Sequence, residues 1–346
     1  MIDEVRRVAE EQLGRARRDL EEPGDDPVAA THDCRKRCSK LRGLARLVRP
    51  ALGGGYRPAN VALRGAARQL DSLRDAHALL ETFDAVVAAE PAGSSGCDLS
   101  PVRAELQTRS DEANRRAREG SGELDVAHRL LVEAEDAIAT WELDESGVDA
   151  VADGLRRTYR RGRTALGSAV EDPSDERFHE YRKRTKYTWY HLRLLEPVAP
   201  SVLAPLAGAF HDLADALGDD HDLAVLTAQL RDDPDAFGGA RPAGAAIGLL
   251  DVRREVLHDR SFRLGRRLHG ERSKDLARRV RAYWKAHDEL GPELPTGEVA
   301  DLWPPSDDGL DELTVDELCV LAGERNVAGR SGLRRDDLVG ALRAGG

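Results

Sequence analysis

The chain repeats itself, and the repeat restricts its fold more than any other feature does. Residues 31–50, THDCRKRCSKLRGLARLVRP, align without gaps on residues 178–197, FHEYRKRTKYTWYHLRLLEP. His32 falls on His179, Arg35 on Arg182, Lys36 on Lys183 and Pro50 on Pro197. Downstream, LRDAHALL (73–80) matches LGDDHDLA (217–224), which sets His77 on His221. Upstream, VRRVAEEQLGRARR (5–18) resembles LRRTYRRGRTAL (155–166). A doubled core explains matching apolar positions, but matching charged positions need a second cause, such as a shared site.

Apolar residues recur at i, i+3 and i+4 over 2–20, which predicts a helix there. Further helices are predicted over about 28–49, 58–90, 101–119, 122–141, 150–170, 174–195, 199–231, 240–260 and 261–289. The apolar residues, 40% of the chain, are mostly Ala, Leu and Val, and aromatics are only 4%. No alternating Val/Ile/Thr run argues for strands. The expected fold is all-α: two pseudo-symmetric antiparallel helical bundles from an internal duplication, plus a small C-terminal helical domain. The first bundle is placed at 1–142, the second at 148–289, a linker at 290–309 and the tail domain at 310–346.

The net charge of -11 argues against non-specific nucleic-acid binding, but the charge is segregated. Between His32 and Arg49 stand Arg35, Lys36, Arg37, Lys40, Arg42, Arg46 and Arg49, against Asp33 alone. Acids collect instead at 19–26, 142–149, 231–235 and 306–317. A basic site within an acidic surface focuses its field on one place. On helices, Cys34, Cys38, Leu41, Ala45 and Val48 form one core stripe, and Tyr181, Thr185, Thr188, Leu192 and Leu195 form its counterpart. The neighbouring faces carry His32, Arg35, Lys36, Lys40, Arg42 and Arg46, and His179, Arg182, Lys183, Lys186 and Arg193.

Like charges at i, i+4 cost a helix roughly 0.2–0.5 kcal/mol per pair. A run without compensating acids therefore reads as a surface for external negative charge. Arg grips phosphate oxygens bidentately and Lys adds a mobile point charge. A His beside a bound anion would gain a proton more readily. Arg156, Arg160 and Arg163 share a helical face and are expected to extend the surface, with Arg6 and Arg7 as first-half counterparts. The basic stretch from Arg263 to Lys285 also carries Glu271 and Asp275 and reads as ordinary charged surface.

Cys34, Cys38, Cys97 and Cys319 form no CxxC, and Cys34 and Cys38 read as small buried hydrophobes. No metal site or cofactor is expected. No segment approaches 18 apolar residues and no signal peptide is recognised, so a cytoplasmic location is expected. GDDHD (218–222) is the best patch for a metal-dependent phosphohydrolase, a minor alternative, because the other His-Asp pairs are scattered.

The chain resembles the CHAD family, the conserved-histidine α-helical domain, over residues 2–289. The resemblance rests on His-x-x-Arg-Lys opening a basic helix twice, on RRTYRRGR and on LGDDHDLAVL (217–226). It implies a two-bundle helical fold with a basic groove, binding of inorganic polyphosphate and association with polyphosphate granules, without catalysis. The chain has Ser39 and Lys40, and Tyr187 and Trp189, where the family favours Arg. The first basic helix is therefore expected to contribute more binding than the second. The tail, 313–343, resembles the N-terminal helical domain of terminator Rho and SAP-type modules, with Thr314 and Glu317 as a capping box. That resemblance implies nucleic-acid contacts at Arg330, Arg334 and Arg335, the principal alternative function.

Overall fold

A computed structural model describes residues 2–24, 27–89, 96–119, 122–143 and 148–291, and in the tail 314, 315, 318, 322 and 335–344. The described residues are all helical, with no strand. The helices are α1 (Ile2–Glu21), α2 (Pro27–Leu47), α3 (Tyr56–Gln69), α4 (Asp71–Ala89), α5 (Ser100–Glu119), α6 (Gly122–Ala139), α7 (Val148–Glu171), α8 (Asp175–Leu195), α9 (Pro200–Asp232), α10 (Ala240–Leu268), α11 (Ser273–Leu290) and α12 (Arg335–Ala344). The chain divides into two compact units, Met1–Pro292 and Glu293–Gly346. No helix among the described residues is long and apolar enough to cross a membrane.

Most helix boundaries fall where the sequence predicts, and two differ. The predicted helix over 58–90 is interrupted at Leu70, and α4 restarts at Asp71. The break predicted at 260/261 lies instead between Leu268 and Ser273. Apolar periodicity runs straight through residue 260, and the helix stops only where His269 and Gly270 turn back onto the Gly265 and Arg267 carbonyls. Between α9 and α10, Gly238 and Gly239 take positive φ of 87° and 101°. A β-carbon on Gly238 would lie 2.5 Å from Pro101 Cβ, so a side chain there is excluded twice over.

The core forms two main clusters, and each draws on both halves of the chain. One joins Leu13, Leu41, Leu63, Leu131 and Trp141 to Leu155, Leu192, Leu203 and Phe210. The other packs Leu79, Phe83 and Leu106 of the α4–α5 hairpin against Leu223 and Leu230 of α9, Phe237 of the turn that follows and Leu250 of α10. Helix α9 makes this sharing geometrically available: 33 residues at about 1.5 Å each span roughly 50 Å. Cys34 and Cys38 are buried, and a hydrogen bond to Cys38 followed by burial pushes the Cys34 thiol up.

Helix α8 is enclosed by large side chains. Besides Tyr181, Thr185, Thr188, Leu192 and Leu195 of its predicted stripe, it buries Phe178, Tyr187, Tyr190 and His191. It packs against α2, α7 and α9, so apolar contact is needed on three sides and charge is confined to the remaining edges.

Candidate functional site

The two basic helices cross each other. At the crossing, a β-carbon on Gly43 of α2 would lie 3.1 Å from Tyr190 Cβ of α8. Gly43 therefore allows the close approach. Beside it, His191 Nε2 lies 3.0 Å from the Gly43 carbonyl oxygen. Burial pushes the His191 pKa down to about 3, so the ring is neutral and Nε2–H is the donor.

The crossing sorts the cations into two groups. On one side of the crossing, the end of α2 beyond Gly43 meets the part of α8 that precedes Tyr190. Here the Arg46 guanidinium lies 4.1 Å from the centre of the Tyr187 ring and 5.9 Å from that of Tyr56. Arg49 sits 4.5 Å over Tyr56. The faces of the two tyrosines thus hold two guanidinium groups in place. Arg42 reaches Asn60 Oδ1 at 3.4 Å, and Arg46 donates to the Arg42 carbonyl at 3.1 Å.

Helix α7 adds its own arginines to this group. Burial lowers the Arg46 pKa, and Arg42 and Arg184 lower it further. Arg161 is lowered by desolvation and then by Arg184, Arg157, Arg49 and Arg160. These mutual effects place α2, α7 and α8 along one cationic seam. Among the described residues, no carboxylate pairs with Arg42, Arg46, Arg49, Arg157, Arg160 or Arg161.

The second group lies across the crossing. Burial lowers the Lys40 pKa, followed by Lys36, Arg37 and Arg193, while Asp33 opposes them. This group is largely neutralised. Arg37 pairs with Asp19 at 2.6 Å, and Arg193 with Glu196 at 3.3 Å.

Of the residues singled out from sequence, the structure brings Arg42, Arg46 and Arg160 into the seam and puts Lys36 and Lys40 in the second group. His32 is exposed at the start of α2. Arg35 pairs with Asp71 at 2.6 Å. His179 lies 4.7 Å from the His221 ring, and burial, then Lys183 and Arg182, lowers its pKa. Arg182 packs near Gly218 of α9, and Lys186 is half-buried. Lys183 binds Glu180 at 2.6 Å.

The favoured face of α7 is divided. Arg156 lies 3.6 Å from Asp153, an acid shared with Arg281 of α11. Arg163 acts on Tyr159 and His269 instead of on the seam. Arg6 donates to the Trp141 carbonyl, and Arg7 pairs with Glu11 at 3.5 Å. Arg335 opens α12, while Arg330, Arg334 and Glu317 lie outside the described residues.

Sequence reasoning passed over Arg49, Arg157, Arg161 and Arg184 as site residues. A signal for two of them was present. Gly154 stands three residues before Arg157 and seven before Arg161, on one helical face. A small residue at that spacing marks where another helix comes close.

The GDDHD patch has a different use. Asp220, only 2% exposed, accepts from Arg254 at 2.9 Å and lies 2.7 Å from His258 Nε2. His258 in turn stacks on Phe178, with ring centres 3.8 Å apart. Asp220 is thereby committed to tying α9 to α10. No group of three or more His, Cys, Asp or Glu among the described residues is arranged to hold a metal ion.

These features define an all-helical protein whose two basic helices cross beneath an arginine-rich seam. The chain matches the CHAD domain over residues 5–231 and belongs to the CHAD family. No curated protein matches the chain.

Proposed function

We propose that the protein binds inorganic polyphosphate along the seam formed by α2, α7 and α8, without catalysing its breakdown. The observation that carries this reading is the grouping of Arg42, Arg46, Arg49, Arg157, Arg160 and Arg161 with no paired carboxylate among the described residues. Six guanidinium groups held near one another, with Arg42, Arg46 and Arg49 half-buried and Arg157, Arg160 and Arg161 exposed beside them, repel one another until an anion arrives. A chain of linked phosphates supplies a negative charge at every unit and oxygens suited to guanidinium forks. Membership of the CHAD family supports the same ligand.

Polyphosphate suits the seam better than nucleic acid does. Base recognition along a single strand needs free aromatic faces. Tyr187 and Tyr56 are already covered by Arg46 and Arg49. Trp189 stacks on Tyr190, with ring centres 4.7 Å apart, and takes the His211 edge at 4.2 Å. Tyr187, Trp189 and Tyr190 are thus engaged internally. We retain nucleic-acid binding for the tail at 310–346, read as a Rho- or SAP-like module.

The finer architecture belongs to this proposal too. An internal duplication, with one bundle at 1–142 and the other at 148–289, is supported by equivalent positions meeting at the crossing. Gly43 aligns with Tyr190 and touches it. Lys40 aligns with Tyr187 and Arg46 with Arg193; Arg46 sits over the Tyr187 ring and Lys40 feels the charge of Arg193, which suits a pseudo-two-fold axis. A cytoplasmic location at polyphosphate granules follows from the ligand.

Titration of the full chain with polyphosphate of defined length tests the reading. Affinity should fall with salt, with a log–log slope of roughly -0.7 per phosphate contact. Single-stranded DNA should compete poorly, and removal of 310–346 should weaken DNA binding alone. Release of phosphate in the presence of Mg²⁺ or Mn²⁺ would overturn the non-catalytic part. Salt-independent or undetectable polyphosphate binding would overturn the whole.

A further inference from the structure

Among the described residues one acid touches the seam, and it sits on the seam's own helix. Glu180 of α8 accepts from Arg184 Nε at 2.6 Å, with the Arg184 Nη2 at 2.5 Å from the same oxygen. Its other oxygen binds Lys183 Nζ at 2.6 Å. A single carboxylate thus holds two neighbouring cations. Arg184 is the largest electrostatic influence on Arg161 and also acts on Arg46. Its guanidinium is one-fifth exposed, so it is held at the seam's edge.

The equivalent residue in the other half is held differently. Arg37 aligns with Arg184, and its pair with Asp19 joins α2 to α1 with the two side chains 20% and 17% exposed. That pair is part of the packing. Glu180 is 39% exposed and binds within a single helix turn. Local pairs of this kind contribute little to stability, which makes them exchangeable for a stronger anion. Burial alone would raise the Glu180 pKa, yet Lys183 and Arg184 hold it below the ordinary carboxylate value. It is therefore charged whenever the seam is empty.

We propose that Glu180 is a built-in competitor of polyphosphate, occupying Arg184 and Lys183 until a phosphate chain displaces it and so setting the affinity of the seam. The proposal rests on the polyphosphate reading. A lone monoanion offers those cations nothing better than the carboxylate already in place. A phosphate chain brings further charges that Arg46 and Arg161 take up in the same event, which offsets the loss of the internal pair.

The test compares wild type, Glu180→Gln and Glu171→Gln for binding of polyphosphate of defined length at one fixed low salt concentration. Glu171 is exposed at the end of α7, ten residues or about 15 Å along the helix from Arg161, so its variant controls for net charge. Glu180→Gln should bind about five-fold more tightly, with Glu171→Gln close to wild type. Unchanged or weaker binding by Glu180→Gln overturns the proposal, as does equal tightening by both variants. Weaker binding together with a lowered melting temperature would make Glu180 a structural residue and also overturn it. If wild type binds and Glu180→Gln is no tighter, only this inference fails. If neither binds, the polyphosphate reading itself fails.

Discussion

Gly154 of α7 lies so close to Leu47 of α2 that a β-carbon on it would fall 1.7 Å from the Leu47 carbonyl oxygen and 2.5 Å from the carbonyl carbon. The obstacle is backbone, so no side-chain rotation relieves it. This approach carries Arg157 and Arg161, one and two turns further along the same face, to the end of α2. Gly154→Ala should therefore cost about 2–4 kcal/mol, against the roughly 1 kcal/mol that Ala gains over Gly in a helix. Urea unfolding measures it, and an alanine variant as stable as wild type would refute the contact.

The two sides of the crossing should bind unequally. Reversing Arg46 and Arg161 to Glu should lower polyphosphate affinity at least a hundred-fold, on the order of 3 kcal/mol. Reversing Lys40 and Arg193 should cost much less, because Asp33, Asp19 and Glu196 already offset that group. Circular dichroism checks that both variants stay helical. Equal losses would mean that the seam is not the principal site.

Two buried histidines make the fold sensitive to acid. Burial, chiefly, sets the pKa of His191 at about 3 and that of His269 at about 4. In the unfolded chain each titrates near 6.5. Below that pH the unfolded state takes up protons that the folded state refuses, so stability falls as pH drops from about 6.5 towards 4 for His269 and towards 3 for His191. Melting temperature measured from pH 8 to pH 4 should decline below about 6.5. His191→Phe should reduce that decline, while losing some stability at pH 8 with its bond to Gly43. An unchanged pH profile in the variant would exclude His191 as a source.

Asp220→Ala should be among the most damaging single changes. It leaves Arg254 and His258 without the acid that joins them. Removing one partner of a buried pair costs about 3–5 kcal/mol. Arg254 also contacts Asp175 at the start of α8, and that second partner should hold the loss to the low end of the range. A melting temperature within a degree of wild type would show that the pair contributes nothing.

Local chemistry made the helices legible. The stripe Cys34, Cys38, Leu41, Ala45 and Val48 is buried as its spacing predicts, and so is its counterpart on α8. Helical phase depends only on the 3.6-residue turn, so it can be read residue by residue. A helix break at 260/261 is not what this phase gives, since periodicity continues past residue 260, and the true stop depends on carbonyls that the chain turns back to meet.

Residue pattern is enough to establish an all-helical chain in which two basic helices share a register. Which cations act together follows from how the helices pack. Arg35, Arg156 and Arg7 were chosen from their own helices, and each meets an acid: Asp71, Asp153 and Glu11 respectively. Arg49, Arg157, Arg161 and Arg184 became site residues because Gly43 and Gly154 let α8 and α7 settle on α2. A charge's phase on its helix is local and fixed by geometry within one turn. Its partners depend on which backbone comes close, and that is set by packing between segments more than a hundred residues apart.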